Sequence, residues 1–164
     1  MNGETIGRVA SEIKDFGNKA FKAGDLELGL DKYQKALRYL GQWPTPEDSD
    51  PKELWGQLQQ LRFVCHNNSA LLHNKQNNWR DGMESATKAL EIKGIDGKDQ
   101  AKAYFRRATA KTKLKDDEGA VEDLAEAHKL SPDDAVIVQS LEAAKANIAA
   151  REQRQKEALK NFFA

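Results

Sequence analysis

Lys14 and Asn18 lie four residues apart in this sequence, and so do Lys102 and Arg106. Residues spaced i, i+4 share one face of a helix. Between the two pairs lies Asn68. An amide NH2 donates to a carboxylate oxygen, and Lys and Arg supply charge-assisted hydrogen bonds, the stronger kind. Three cations and two amides converging from three helices would suit an extended acidic peptide, best of all one ending in a free carboxylate. That chemistry needs a scaffold that brings positions far apart in the chain onto one surface.

Helical periodicity covers nearly the whole chain, with no convincing alternating strand. A pattern also recurs. Phe16 to Leu37 reads FGNKAFKAGDLELGLDKYQKAL, and its parts return in segments ending at Leu90 and Leu130. Small residues recur early in each first helix (Gly17, Ala70, Ala108), early in each second helix (Gly29, Gly82, Ala120) and near the end of that helix (Ala36, Ala89, Ala127). They let paired helices approach closely, and each unit needs its neighbour to cover its remaining apolar face. A helix–turn–helix unit of about 34 residues with this pattern is the tetratricopeptide (TPR) signature. The expected fold class is all-α: a TPR superhelix of three helix–turn–helix repeats plus a long C-terminal capping helix.

The repeats fill 11–134 in the register 10–43, 63–96 and 101–134, after a linker remnant over 1–10. An insertion over 44–62 interrupts them, and 135–164 forms the C-terminal helix. Within the insertion, Leu54, Leu58, Leu61 and Cys65 make one helical stripe, so the second repeat begins with a lengthened helix. Asp50 and Pro51 are its expected N-cap and first-turn proline, after a short loop near Trp43 to Pro46; Trp43 and Trp55 should pin the insertion to the body. Ser131-Pro132 is read as the start of the last helix. Val136, Val138 and Leu141 begin that helix, its first half caps the third repeat, and its charged second half projects into solvent.

In such a superhelix the first helices line a concave groove, and repeat columns 2, 5, 6 and 9 face it. Those columns hold Lys14, Asn18, Asn68, Lys102 and Arg106. A register shift of one would exchange Arg106 with Arg107 and Asn68 with Asn67; anchoring on Ala70 and Trp79 selects Asn68. Lys75, Lys111 and Lys115 read as ordinary surface charges, and Trp79 as core.

Composition narrows the function classes. With 26 basic and 26 acidic side chains among 164 residues, the formal net charge is zero. A general nucleic-acid or membrane-surface role, which needs a field of one sign, has no support. One cysteine, Cys65, permits no intramolecular disulfide. His66, His73 and His128 have no metal-ligand spacing, and no phosphate loop or nucleophile motif occurs. No apolar run approaches a membrane span. A cytoplasmic, monomeric binding module without metal, cofactor or catalytic residues is expected.

The five groove residues resemble the two-carboxylate clamp of chaperone-binding TPR domains, which hold the C-terminal Glu-Glu-Val-Asp of heat-shock proteins 90 and 70. All five positions match in residue type. The resemblance implies that Lys14, Asn18 and Asn68 hold the terminal Asp, while Lys102 and Arg106 hold groups further along the peptide. From Ser11 to Ala164 the chain is similar to the TPR half of the cyclophilin 40 family, peptidyl-prolyl isomerases that act as heat-shock protein 90 co-chaperones. The similarity rests on YQKALRYL ending at Leu40, the long insertion, AKAYFRRA from Ala101, and the end KEALKNFFA. In that end Leu159 replaces the usual Tyr and Phe162 the usual Met. The apolar edge Leu159, Phe162 and Phe163 survives as an implied chaperone contact. Only ten residues precede the first repeat, so the family's catalytic barrel is expected to be absent and no prolyl isomerisation is expected. The implied partner is heat-shock protein 90, or heat-shock protein 70; the competing reading is a TPR scaffold that binds an internal segment and needs no free carboxylate.

Overall fold

The computed structural model describes residues 2–43 and 51–164. Asp50 and the loop from residue 44 onward lie outside them. Seven helices follow one another among the described residues: α1 Gly3–Lys22, α2 Leu26–Leu40, α3 Lys52–Lys75, α4 Trp79–Leu90, α5 Gly97–Lys113, α6 Asp117–Leu130 and α7 Ala135–Phe163. They pack as pairs, α1 on α2, α3 on α4 and α5 on α6, and α1, α3 and α5 also touch in succession as an inner row. That row carries all five candidate groove residues.

Each pair turns the same way, for a visible reason. Gly24, Asn77 and Lys115 occupy one repeat column, and all three have left-handed backbone, with φ of 85°, 62° and 68°. The next amide then reaches back across the turn: Asp25 N–H donates to the Ala20 carbonyl at 3.0 Å, Asn78 to His73 at 2.9 Å and Asp116 to Lys111 at 2.9 Å. These are Schellman-type closures, which satisfy carbonyls a helix end leaves unpaired. Asp25 and Asp116 then cap the next helix, accepting from Leu28 N–H and Gly119 N–H at 3.0 Å each. Such a cap contributes about 1 kcal/mol.

Close packing comes from the small columns, all nine of which are buried. Gly17 shows why: a Cβ there would stand 2.8 Å from Cε1 of the fully buried Tyr33.

Helix α1 begins at Gly3, inside the stretch read from the sequence as a linker. Ile6 and Ala10 are buried in the first core cluster with Leu58, Tyr33 and Leu40, and Leu54, Leu61 and Trp43 pack against it. The physical reason is the insertion. It lengthens α3 at its N-terminus by about three turns, and those turns give the start of α1 a surface to cover. The backbones run close enough that a Cβ on Gly3 would lie 3.0 Å from Leu54 Cδ2, and one on Gly7 3.0 Å from Leu58 Cδ2. Arg62 ties the insertion to α2. Its NH2 donates to the Leu40 carbonyl at 2.7 Å and also to the Trp43 carbonyl, and its guanidinium lies 5.1 Å from the Trp55 ring. Both tryptophans do pin the insertion, Trp55 through that arginine.

Three local expectations change. The N-cap of α7 is Asp134, whose Oδ1 accepts from Val136 N–H at 3.0 Å, whereas Ser131 ends α6. A carboxylate accepts more strongly at a helix N-terminus than a serine three residues earlier could. The stripe of α7 that caps the third repeat is Ile137, Leu141 and Ala144, while Val136 stays exposed. Arg151 makes the last tie, donating to Asp117 Oδ2 at 3.1 Å and to Glu118. Beyond it every residue of α7 is exposed. Pro51, expected in the first turn of α3, sits at its N-cap position.

Candidate functional site

Asn18 on α1 and Asn68 on α3 come together: Asn68 Nδ2 lies 3.5 Å from Asn18 Oδ1. Beneath them stands Tyr33 of α2, whose hydroxyl donates to the same Asn18 Oδ1 at 2.7 Å. Burial raises the pKa of that phenol, so Tyr33 keeps its proton and remains a donor. Asn18 Oδ1 is thereby committed to the protein, which leaves its NH2 as the group to offer a ligand. Sequence reasoning missed Tyr33. It passed as part of the YQKAL repeat, and only the close approach at Gly17 shows that its ring supports the groove.

Lys14 lies one turn before Asn18 and is mostly buried along its length, with Nζ 3.0 Å from Asp15 Oδ1. Its charge is felt by Cys65 on α3, whose thiol burial pushes up to about 12 and Lys14 draws partly back down. Cys65 is therefore a core residue, un-ionised at neutral pH.

Arg106 on α5 points back to α3. Its NH1 donates to the Asn67 carbonyl at 2.6 Å, and Asn74 Nδ2 of α3 donates to the Arg106 carbonyl at 2.9 Å. Burial pulls its guanidinium down to about 10, against the pull of Tyr33 and Asp99. It stays charged at neutral pH. Arg107, one residue on, turns to α6: its Nε and NH2 reach Asp123 at 2.8 and 2.7 Å. Lys111 Nζ is 3.0 Å from the same carboxylate. Lys111 is thus tied to a buried acid rather than being a plain surface charge. The two arginines divide cleanly, Arg106 to the inner row and Arg107 to the α5–α6 contact. Likewise Asn67 is buried while Asn68 is only half-buried.

Lys102 is the outermost of the five, 62% exposed, with Nζ 3.0 Å from Asp99 Oδ1. Asp99 takes a second hydrogen bond from Gln60 Nε2 of α3 at 3.1 Å. Lys102 and Gln60 hold its carboxyl below the usual range, with Arg106 adding a smaller pull. One acid so connects Lys102 to the groove side of α3. Neither Asp99 nor Gln60 was singled out from the sequence, because a pairing across 39 positions leaves no local signal.

Of the five, Asn18 and Asn68 meet across α1 and α3, and Lys102 and Arg106 share Asp99 on α5, while Lys14 pairs with its neighbour Asp15. Every donor points from an inner helix, and the intervening acids, Asp15 and Asp99, only partly offset three cations. Such a surface can hold carboxylates. Leu159, Phe162 and Phe163 stand elsewhere, on the last turns of α7, at 62%, 82% and 78% exposure. The two phenylalanine rings meet edge to face at 5.3 Å. Among the described residues no cluster of His, Cys, Asp or Glu could hold a metal ion, and no helix is long and apolar enough to cross a membrane. Trp79 is half-buried under Lys113, whose Nζ lies 5.8 Å from its ring.

The class this architecture defines is the TPR domain. The C-terminal TPR-containing domain of a Plasmodium falciparum FK506-binding protein superposes with a TM-score of 0.79 at 24% identity, over 93% of this chain and 97% of that one. No protein-family model matches the sequence. In sequence the chain is homologous to peptidyl-prolyl cis-trans isomerase D of Cryptococcus neoformans var. neoformans serotype D, 35% identical over 159 residues and 94% of this chain. It spans only 42% of that relative's length. Myosin chaperone UNC-45 from C. elegans, solved in complex with a Hsp90 peptide, is 34% identical with a TM-score of 0.68, over 92% of this chain and 15% of its own.

Proposed function

We propose that this chain is a co-chaperone TPR domain that binds the C-terminal Glu-Glu-Val-Asp tail of heat-shock protein 90 through a two-carboxylate clamp, and that it serves as a cytoplasmic, monomeric binding module of a cyclophilin-40-like protein with no catalytic role of its own. The observation that carries this reading is the meeting of Asn18 and Asn68 from neighbouring inner helices, with Tyr33 fixing which group Asn18 presents. Lys14, Asn18 and Asn68 would take the terminal residue's two carboxylates, and Lys102 and Arg106 the groups before it. The UNC-45 complex supports the ligand class. The exposed Leu159, Phe162 and Phe163 would add a second contact on the body of the chaperone.

Calorimetric titration with a Met-Glu-Glu-Val-Asp peptide tests the proposal. An affinity near ~1 μM, about −8 kcal/mol, is expected for the free acid, with near-complete loss when the same peptide is amidated at its C-terminus. Equal binding of both forms would instead indicate recognition of an internal segment.

A further inference from the structure

We propose that Asp99 is an internal competitor of the ligand: a carboxylate of the protein itself that pairs with Lys102 and lowers the affinity of that surface for an acidic peptide. This inference rests on the clamp reading. Three observations carry it. Asp99 Oδ1 is 3.0 Å from Lys102 Nζ, the geometry an incoming carboxylate would take up. Its Oδ2 is held at 3.1 Å by Gln60, a residue of the lengthened part of α3, so the acid is fixed in place rather than sweeping through solvent. Finally, Asp99 and Arg106 act on one another electrostatically, so the acid tempers two of the groove's three cations.

Two effects of Asp99 oppose each other. It pre-orients Lys102, which helps a ligand; it also neutralises that ammonium and repels any carboxylate brought to it. The second effect is the larger. Lys102 is 62% exposed and its flexible stem finds a ligand carboxylate without guidance, whereas two carboxylates sharing one ammonium stay in repulsion throughout the bound state. A peptide that replaces Asp99 at Lys102 must therefore bring a full negative charge; a neutral carbonyl or amide would not displace it. The acid thus weakens charged ligands the most, since a neutral group never claims Lys102 from it.

The test is titration of the wild-type chain, Asp99→Asn and Asp99→Ser, each with Met-Glu-Glu-Val-Asp and with Met-Gln-Gln-Val-Asp, both as free acids. Removal of the acid should tighten the Glu peptide by about three- to ten-fold, the size of one partly screened like-charge contact. The Gln peptide should gain much less, so both variants discriminate more steeply by absolute affinity for the Glu form. Asn is near-isosteric and Ser is a good residue for the first turn of a helix, so two different replacements guard against a folding artefact. Unchanged or weaker binding of the Glu peptide by both variants, with wild-type binding intact, overturns the inference and leaves the clamp standing. Equal gains for both peptides also overturn it, since the acid would then act on the fold and not on ligand charge. Absence of binding by all three proteins overturns the clamp and the inference together.

Discussion

Adjacent arginines with opposite duties show how much a single side-chain direction decides. Arg107 and Lys111 meet Asp123, whose side chain is only 4% exposed. Truncating that acid strands two cations, so Asp123→Ala should destabilise the fold by about 3–5 kcal/mol, measured by urea titration. Lys102→Ala should do the reverse. It should leave stability unchanged but weaken peptide binding about ten-fold, the loss of one charge-assisted bond; Lys115→Ala should not affect binding. His66 supplies a pH dependence. Burial, reinforced by Lys88 and Arg62, lowers its imidazole from 6.5 to about 4. The unfolded chain therefore takes up the proton first as pH falls. His66 contributes stability fully above about pH 6.5, and loses it progressively down to about pH 4, on the order of 3 kcal/mol in all. Thermal melts at about pH 7 and about pH 4.5 should show a larger drop for the wild type than for His66→Gln. Of these residues the placement of the five candidates on the inner helices α1, α3 and α5 was legible in the sequence, because the repeat columns assign each to a first helix. Tyr33, Asp99 and Asp123 were not, because their roles depend on neighbours from other helices.

The turns are the most regular elements, and one of them is strained. Gly24 adopts its left-handed conformation freely and Asn77 tolerates it, but Lys115 carries a Cβ into the same region at φ 68°. Lys115→Gly should stabilise the protein by about 0.5–1 kcal/mol, seen as a raised melting temperature. No periodicity could reveal this, since the sequence shows a lysine where its two sister repeats show the residues that explain the turn. The start of α7 was misplaced for a related reason. Ser131-Pro132 has the composition of a helix start, yet Asp134 two residues later has the stronger acceptor, and its position shifts the buried face from Val136 to Ile137. The long α3 was readable from its leucine stripe. The beginning of α1 was not, because residues 3–10 are covered in part by an insertion that follows in the chain.

At the scale of the whole molecule, the fold is divided between a packed body and a bare helical extension. Arg151 marks the border, held by Asp117 and Glu118, and everything after it is exposed. A chain ending at Gln155 should therefore melt within about 1–2 °C of the full one, because removing exposed residues lies within the ordinary range of surface changes; calorimetry of the two proteins decides it. The same truncation should lower affinity for intact chaperone if Leu159, Phe162 and Phe163 touch it, while binding of the isolated peptide stays the same. All-helical architecture and repeat order were the parts most open to sequence reading, because each repeat states the pattern again. The mutual packing of segments outside the repeats had no such redundancy.

That packing ties two irregularities into one inheritance. The leading turns of α1 and the extra turns of α3 cover each other, with Gly3 and Gly7 lying against Leu54 and Leu58. Neither could be trimmed to the ordinary repeat length by itself: excising the insertion would leave Ile6 as an oily stub, and clipping the first turns would bare Leu58. A chain of regular three-repeat form could be reached from this one only by losing both lengthenings together, so they are best regarded as a single graft with two ends.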